Sequence, residues 1–414
     1  MGNVRDFFAD KFSFLGETVR DAAYRIRFLE EEPYDEEEAE YVRAKNERRI
    51  RTLFTVLVIL AIAVAVLLVR RSADRRTYSG YEVVKAIDKA DNVSEYSYAG
   101  NNILRYSPDG AALSTREMET IWDLSFAMSD PEAEVRGTSI VIYDKLGTSV
   151  MVLGPEGKIG SFDTGKPINR AAVSAQGNVA CVLTEGSRAW INYYTPAGSE
   201  IASVSTTMSD PGYPVYLSLA PDGMHLAVSY LNAETGRPGS RVVFYDFSEN
   251  REEDEALAED YPGTVIPEIR YLNDQYAAAF RDDGFTVYNV KNGISVHRSE
   301  SFDEDVASVF YDENYFGFVF RSIERGHRYE VKLFDASGAA VTEADIDIAY
   351  DRARICGDEI ILFNSTEFAV CSKKGFNRFT DTLNEGNIAD ILKIESNRYL
   401  VMTDQTTETI KLIR

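Results

Sequence analysis

The sequence predicts an all-β fold: an eight-bladed β-propeller of four-stranded antiparallel blades, with seven blades as the alternative. An N-terminal amphipathic helix and one transmembrane helix precede it. Three observations carry this reading. A short apolar strand followed by a turn recurs along residues 77–414, hairpin signals lie upstream of the copies, and one uncharged apolar run stands apart near the start of the chain.

The recurring strand reads VMVL (150–153), INYY (191–194), VVFY (242–245), FTVY (285–288), VKLF (331–334), FAVC (368–371) and IKLI (410–413). The last residues of successive copies lie 41, 51, 43, 46, 37 and 42 positions apart. Gly157, Gly198, Gly338 and Gly375 each follow a copy by four positions, where a tight reversal needs a residue that tolerates positive φ. Upstream lie strand–turn–strand segments such as AAVSAQGNVACVL (171–183) and SVFYDENYFGFVF (308–320). Units of about 40–45 residues with four short strands are the pattern of propeller blades. The 338 residues of 77–414 divide into eight blades of about 42, or seven of about 48. IKLI leaves the last blade one strand short, so YEVVKAI (81–87) is expected to close the ring of a propeller spanning 81–414. An open ring would expose two sheet edges.

Two motifs carry a resemblance. The hairpin with Ser174, Gly177 and Ala180, and the turn with Phe334, Asp335 and Gly338, resemble those of quinoprotein-like and WD-repeat-like propellers. The layout of short tail, one span and acidic propeller is similar to an uncharacterised family of bacterial single-pass membrane-anchored β-propellers. The resemblance implies a fold, and its motifs mark no chemistry. Trp122 and Trp190 are the only tryptophans and no adjacent cysteines occur, so the repeated tryptophan docking motif of quinone-dependent dehydrogenases is missing.

The charge is uneven. Residues 1–52 hold 10 basic and 13 acidic side chains, residues 53–76 four and one, and residues 77–414 hold 30 and 53, a net −23 in that last segment. So acidic a domain is repelled by phosphate backbones, and no nucleic-acid partner is expected. Three cysteines without a CxxC pair exclude a zinc ribbon and a disulfide framework.

The apolar run LFTVLVILAIAVAVLLV (53–69) has 17 residues and no charge. At about 1.5 Å per residue it spans roughly 25 Å, the short end of what crosses a bilayer, and the stems of Arg51 and Arg70 can extend it by snorkelling. It is expected to be a single-pass anchor. In the flanking stretches five basic residues (Arg43, Lys45, Arg48, Arg49, Arg51) face five (Arg70, Arg71, Arg75, Arg76, Lys85), so flanking charge does not orient it. The charged tail is hard to translocate, which places the N-terminus in the cytoplasm and the propeller outside, at the end of a basic stalk (70–80).

In the tail, Phe8, Phe12, Leu15, Val19, Ala22, Ile26 and Leu29 alternate at spacings of four and three, one face of an amphipathic helix over 1–29. That face suits a lipid surface or a self-associating seam. Residues 30–52 are a charged linker.

Candidate chemistry is sparse. His225, His297 and His327 have no metal-ligand spacing, and no hydrolase, P-loop or dinucleotide signature occurs. Cys356 and Cys371 should fall on the first and third strands of one blade, two strand spacings or about 9.6 Å apart, too far to bridge; all three thiols are expected free. Acidic groups at Asp303–Asp305, Asp345 with Asp347, and the loop 251–260 fit solvated loops or a weak cation site, without an EF-hand pattern. Asn92 and Asn364 begin glycosylation triplets. Ser240 falls in a polar stretch expected to be exposed. No catalytic, cofactor-binding or metal residue is assigned, and no cofactor is expected. The sequence reads as a non-enzymatic scaffold that binds an unknown protein or envelope partner outside the cell, besides membrane lipid. The alternatives are an enzyme or ligand sensor using the central channel, or a platform facing the cytoplasm.

Overall fold

Alternation of side chains along short strands, punctuated by glycine turns, yields eight four-stranded antiparallel sheets in the computed structural model. The structure describes residues 51–65, 76–88, 94–207, 210–232, 237–248, 255–321, 328–384 and 386–414. Blades 1 to 7 each run through four consecutive strands, over 95–125, 131–163, 168–206, 213–261, 268–301, 306–346 and 352–382. Blade 8 takes Ile388–Glu395, Arg398–Thr403 and Thr406–Ile413 from the end of the chain, and its outermost strand is Gly80–Asp88. Tyr81 pairs with Leu412 and Val83 with Ile410, with a bulge between Val83 and Lys85. The ring therefore closes as expected, and the blade number is eight rather than seven.

Burial follows strand position. Second strands are apolar and buried along most of their length, as in Ser139–Asp144 and Tyr276–Arg281. Outermost strands such as Thr120–Ser125 and Ser295–Ser301 are largely exposed. A middle strand is covered on both faces by neighbouring blades, so it reads as a continuous apolar run. The repeated motif from VMVL to IKLI lies in the third strand of blades 2 to 8. Gly198 shows why its turns need glycine: φ is +86°, and a Cβ there would stand 2.4 Å from Cβ of Phe162 in blade 2.

The core is a ring of eight apolar slabs, each shared by two consecutive blades. The slab between blades 5 and 6 is built on Phe280, Phe285, Phe316, Phe318, Phe320 and Phe334, whose rings meet edge-on or tilted in several pairs. The slab between blades 8 and 1 is the thinnest among the described residues, with Tyr96, Ile103, Leu392, Ile394, Leu400 and Met402 as its buried members.

Some expectations change. Ser240 is buried in the strand Gly239–Asp246, where its hydroxyl oxygen accepts from the Ile266 amide at 2.8 Å. Glu255–Tyr261, expected as loop, is the outermost strand of blade 4; its acidic side chains Glu259 and Asp260 suit a position covered on one face only. Helix 51–65 coincides with the first part of the apolar run. Among the described residues no helix is long and apolar enough to cross a membrane, and 66–69 lie outside them. The amphipathic helix of 1–29, most of the linker, His327 and Asn92 also lie outside the described residues.

Candidate functional site

First strands of successive blades stand around the central channel, and alternation turns every second side chain toward it. In blade 2 the strand Pro131–Arg136 places Glu132, Glu134 and Arg136 on one face. Glu134 forms an ion pair with Arg270 of blade 5, across the channel. Arg270 is also 3.9 Å from Glu268, whose carboxylate accepts a hydrogen bond from the Tyr311 hydroxyl. Arg170 lies 3.5 Å from the Tyr216 ring centroid, a cation–π contact. Burial alone would lower Arg270, but Glu134 overrides it and holds the guanidinium well above its ordinary range.

Arg136 extends from blade 2 to the far wall. Its Nη1 donates to the Tyr271 carbonyl at 2.8 Å, and its Nη2 to Ser218 Oγ and the Leu219 carbonyl, both at 3.3 Å. Its Nε is buried without a hydrogen-bond partner. Burial, and then the neighbouring Arg270, lower its pKa. These side chains divide the channel. Above them, where first strands turn into second strands, is a cup of about 880 Å³ lined by blades 1, 2 and 5 to 8. At the opposite end a recess of about 470 Å³ lies between blades 7, 8 and 1, beside the ion pairs Arg354–Asp390 at 2.7 Å and Arg352–Glu95 at 3.5 Å.

In the cup wall the Tyr98 hydroxyl donates to the Lys393 carbonyl at 3.0 Å and lies 3.6 Å from Cys356 Sγ. Burial pushes both Tyr98 and the Cys356 thiol up. Burial would raise Asp358 too, but Lys393 and Arg378 hold it below its ordinary value. Glu359 is fully buried beneath the rim and accepts from Arg378, from Lys393 at 2.9 Å and from the Tyr399 hydroxyl at 2.5 Å. Arg116 donates to the carbonyls of Asn101 at 3.1 Å and Ile394 at 3.0 Å, tying blade 1 to blade 8.

Residues 74–412 match a family described as a family of unknown function, DUF5711. The chain belongs to the DUF5711 family. No curated protein matches it. Solved structures similar to this DUF5711 chain include the WD40 domain of Neurospora crassa Pan2, at 10% identity, covering 69% of this chain and 89% of that one, with a TM-score of 0.42. Kuenenia stuttgartiensis hydrazine synthase is similar at 13% identity, covering 68% and 96%, with a TM-score of 0.45. Kluyveromyces lactis Hsv2p is similar at 8% identity, covering 75% and 98%, also at 0.45. Likenesses at such scores carry no argument about this DUF5711 chain.

The residues singled out from the sequence lie away from the cup, except Cys356. His225 Nδ1 is 2.7 Å from Asp222 Oδ2 and its Nε2 is 3.7 Å from Asp246 Oδ1. His297 packs its ring 5.2 Å from that of Tyr276. Cys181, Cys356 and Cys371 are free and buried, the last two on the first and third strands of blade 7. Asp303 to Asp305 precede blade 6, where Glu304 pairs with Lys332 at 2.8 Å. Asp345 lies in the outermost strand of that blade, Ala340–Ile346, and Asp347 follows the strand. Asn364 shapes a turn: its Nδ2 donates to the Ala349 carbonyl, and its Oδ1 accepts from the Thr366 and Glu367 amides. Among the described residues, no group of three His, Cys, Asp or Glu side chains is placed to hold a metal ion. The sequence reading missed Arg116, Glu134, Arg136 and Arg270. For Glu134, Arg136 and Arg270 a signal was available in PEAEVR (131–136) and EIRY (268–271), where charges alternate within otherwise strand-like segments; Arg116 lies in neither.

Proposed function

We propose that this protein is a non-enzymatic binding scaffold, held to a bacterial membrane by its single apolar helix, with the propeller outside the cytoplasm and the channel mouth as its binding surface. The observation that carries the binding role is the cup itself. It has the volume of a ligand site, yet three groups in its wall are held away from neutrality. Burial holds Tyr98 and Cys356 protonated, while cations hold Asp358 ionised. A general acid or base works best with a pKa near the operating pH, and these groups are shifted the other way.

Anchoring is supported by helix 51–65, where Leu53, Phe54, Val56, Leu57, Val58, Ile59, Leu60, Ile62 and Val64 are all exposed. An all-round apolar helix requires a covering solvent or partner. The test is thiol labelling of intact cells with an impermeant reagent. Ser187 lies in an exposed turn, and the three native thiols are buried, so Ser187→Cys supplies the reactive site. Labelling before lysis is the expected result. Labelling only after lysis would place the propeller in the cytoplasm as an interaction platform.

A further inference from the structure

Resting on that binding role, we propose that the cup takes a small oxyanion-bearing molecule, a carboxylate or a phosphate, through Arg136 and Arg116. Most cations of the cup are matched. Arg270 has Glu134 and Glu268, and Lys393 has Asp358 and Glu359. Arg136 and Arg116 differ: their recorded hydrogen bonds go to carbonyls and to one hydroxyl, and neither has a carboxylate partner among the described residues. Carbonyl dipoles satisfy geometry but supply no formal charge; Glu134 and Glu313 act on Arg136 only through space, and a cation without a direct counter-charge is expensive in a partly desolvated site. Arg136 is the sharper case, since its Nε has no partner and Arg270 lies close enough to repel it.

An oxyanion answers both conditions, because it supplies charge and accepts from planar guanidinium donors at once. The location is also distinctive. The propeller segment carries a net −23, so an anion finds few cationic surfaces outside the channel. Two acids act electrostatically on Arg136, Glu134 and then Glu313; Glu134 is held by Arg270, whereas Glu313, exposed at the rim, has no ion pair among the described residues and opposes binding. Its removal should therefore strengthen anion binding, whereas a charge change far from the cup should leave it unaltered.

The experiment is calorimetric titration of the full chain in detergent with citrate and, separately, with inorganic phosphate, at constant ionic strength in chloride. Saturable one-to-one binding of either probe is expected, and the better probe identifies the class. Arg136→Gln should weaken it about tenfold or more, the loss expected for a charged hydrogen bond. Arg116→Gln should weaken it less, Glu313→Gln should strengthen it, and Arg188→Gln, at the exposed start of the strand Arg188–Tyr194, should leave it unchanged. If Arg136→Gln does not fold, the opposite signs at positions 116 and 313 decide. A flat titration with both probes, or equal affinities across the variants, would overturn the oxyanion site while leaving the binding scaffold standing. Recovery of chemically altered citrate would instead sink the non-enzymatic reading.

Discussion

Charges inside this ring hold because each is met by a partner from another strand, and the exceptions locate the cup. Glu359 is the extreme case: an acid with no exposure, matched by two cations and a phenol, so it fastens blade 7 to blade 8. At the surface the same logic becomes pH-dependent in His225. Its hydrogen bond to Asp222 raises its pKa above the ordinary 6.5, against the opposing effect of burial. Burial would raise Asp222, yet the bond from His225 lowers it below 3.8. The raised histidine contributes stability in full below about 6.5 and loses it as pH rises through the folded pKa; the depressed acid contributes above 3.8 and loses it on acidification. The pair is thus most stabilising between those limits. NMR titration should find the His225 midpoint above 6.5, falling toward that value in Asp222→Asn. An unchanged midpoint would show that Asp222 is not the cause.

Among the elements, the closing strand Gly80–Asp88 is the most consequential. Backbone pairing to Thr406–Ile413 carries part of it, and Tyr81 carries the rest. The Tyr81 ring lies 6.2 Å from Phe368 and 6.5 Å from Phe379, and its hydroxyl oxygen accepts from the Asn384 amide at 3.1 Å, so the strand is pinned to blade 7 as well as blade 8. Tyr81→Ala should cost about 1.5–3 kcal/mol, the range for burying a large apolar side chain. It should also raise the cleavage rate near residue 80 in limited proteolysis; an unchanged rate would mean that pairing alone holds the strand. This strand was legible in YEVVKAI because ring closure demands a partner for IKLI. Third strands were legible because burial on both faces selects apolar runs. Outermost strands were not: Glu255–Tyr261 and Ser295–Ser301 carry polar faces into water, so their composition matches a loop. Blade 1 escaped the motif because its third strand, Gly110–Ser114, is short and alanine-rich. The cup escaped because its arginines, Arg116, Arg136 and Arg270, come from three separate segments, and no spacing in one sequence says that opposite walls meet.

Across the whole molecule, stability is distributed unevenly around the ring. The slab between blades 5 and 6 is packed with phenylalanine, whereas blades 8 and 1 share the smallest slab among those described and rely on polar ties from Tyr98 and Arg116. Local opening follows the density of buried apolar contact. Native-state hydrogen exchange should therefore release the amides of Glu95–Ala99 and Asn102–Ser107 before those of Tyr276–Arg281 and Tyr315–Arg321. Uniform protection would contradict this. The closing strand adds a mechanical consequence. The segment N-terminal to residue 80 joins the ring through Tyr78 and Ser79, whose amides donate to the carbonyls of Arg378 and Ile413, both at 2.9 Å, before Gly80 pairs with Ile413 at the far end of the chain. Any pull on the N-terminal segment enters the ring there. Because the two strands are antiparallel, a force directed away from the sheet breaks their contacts one at a time, those of Tyr78 and Ser79 first and then those of Gly80 and Tyr81. The residue that latches the ring is thus among the first to bear such a load, and its aromatic ring beside two phenylalanines helps to set the threshold at which the ring opens.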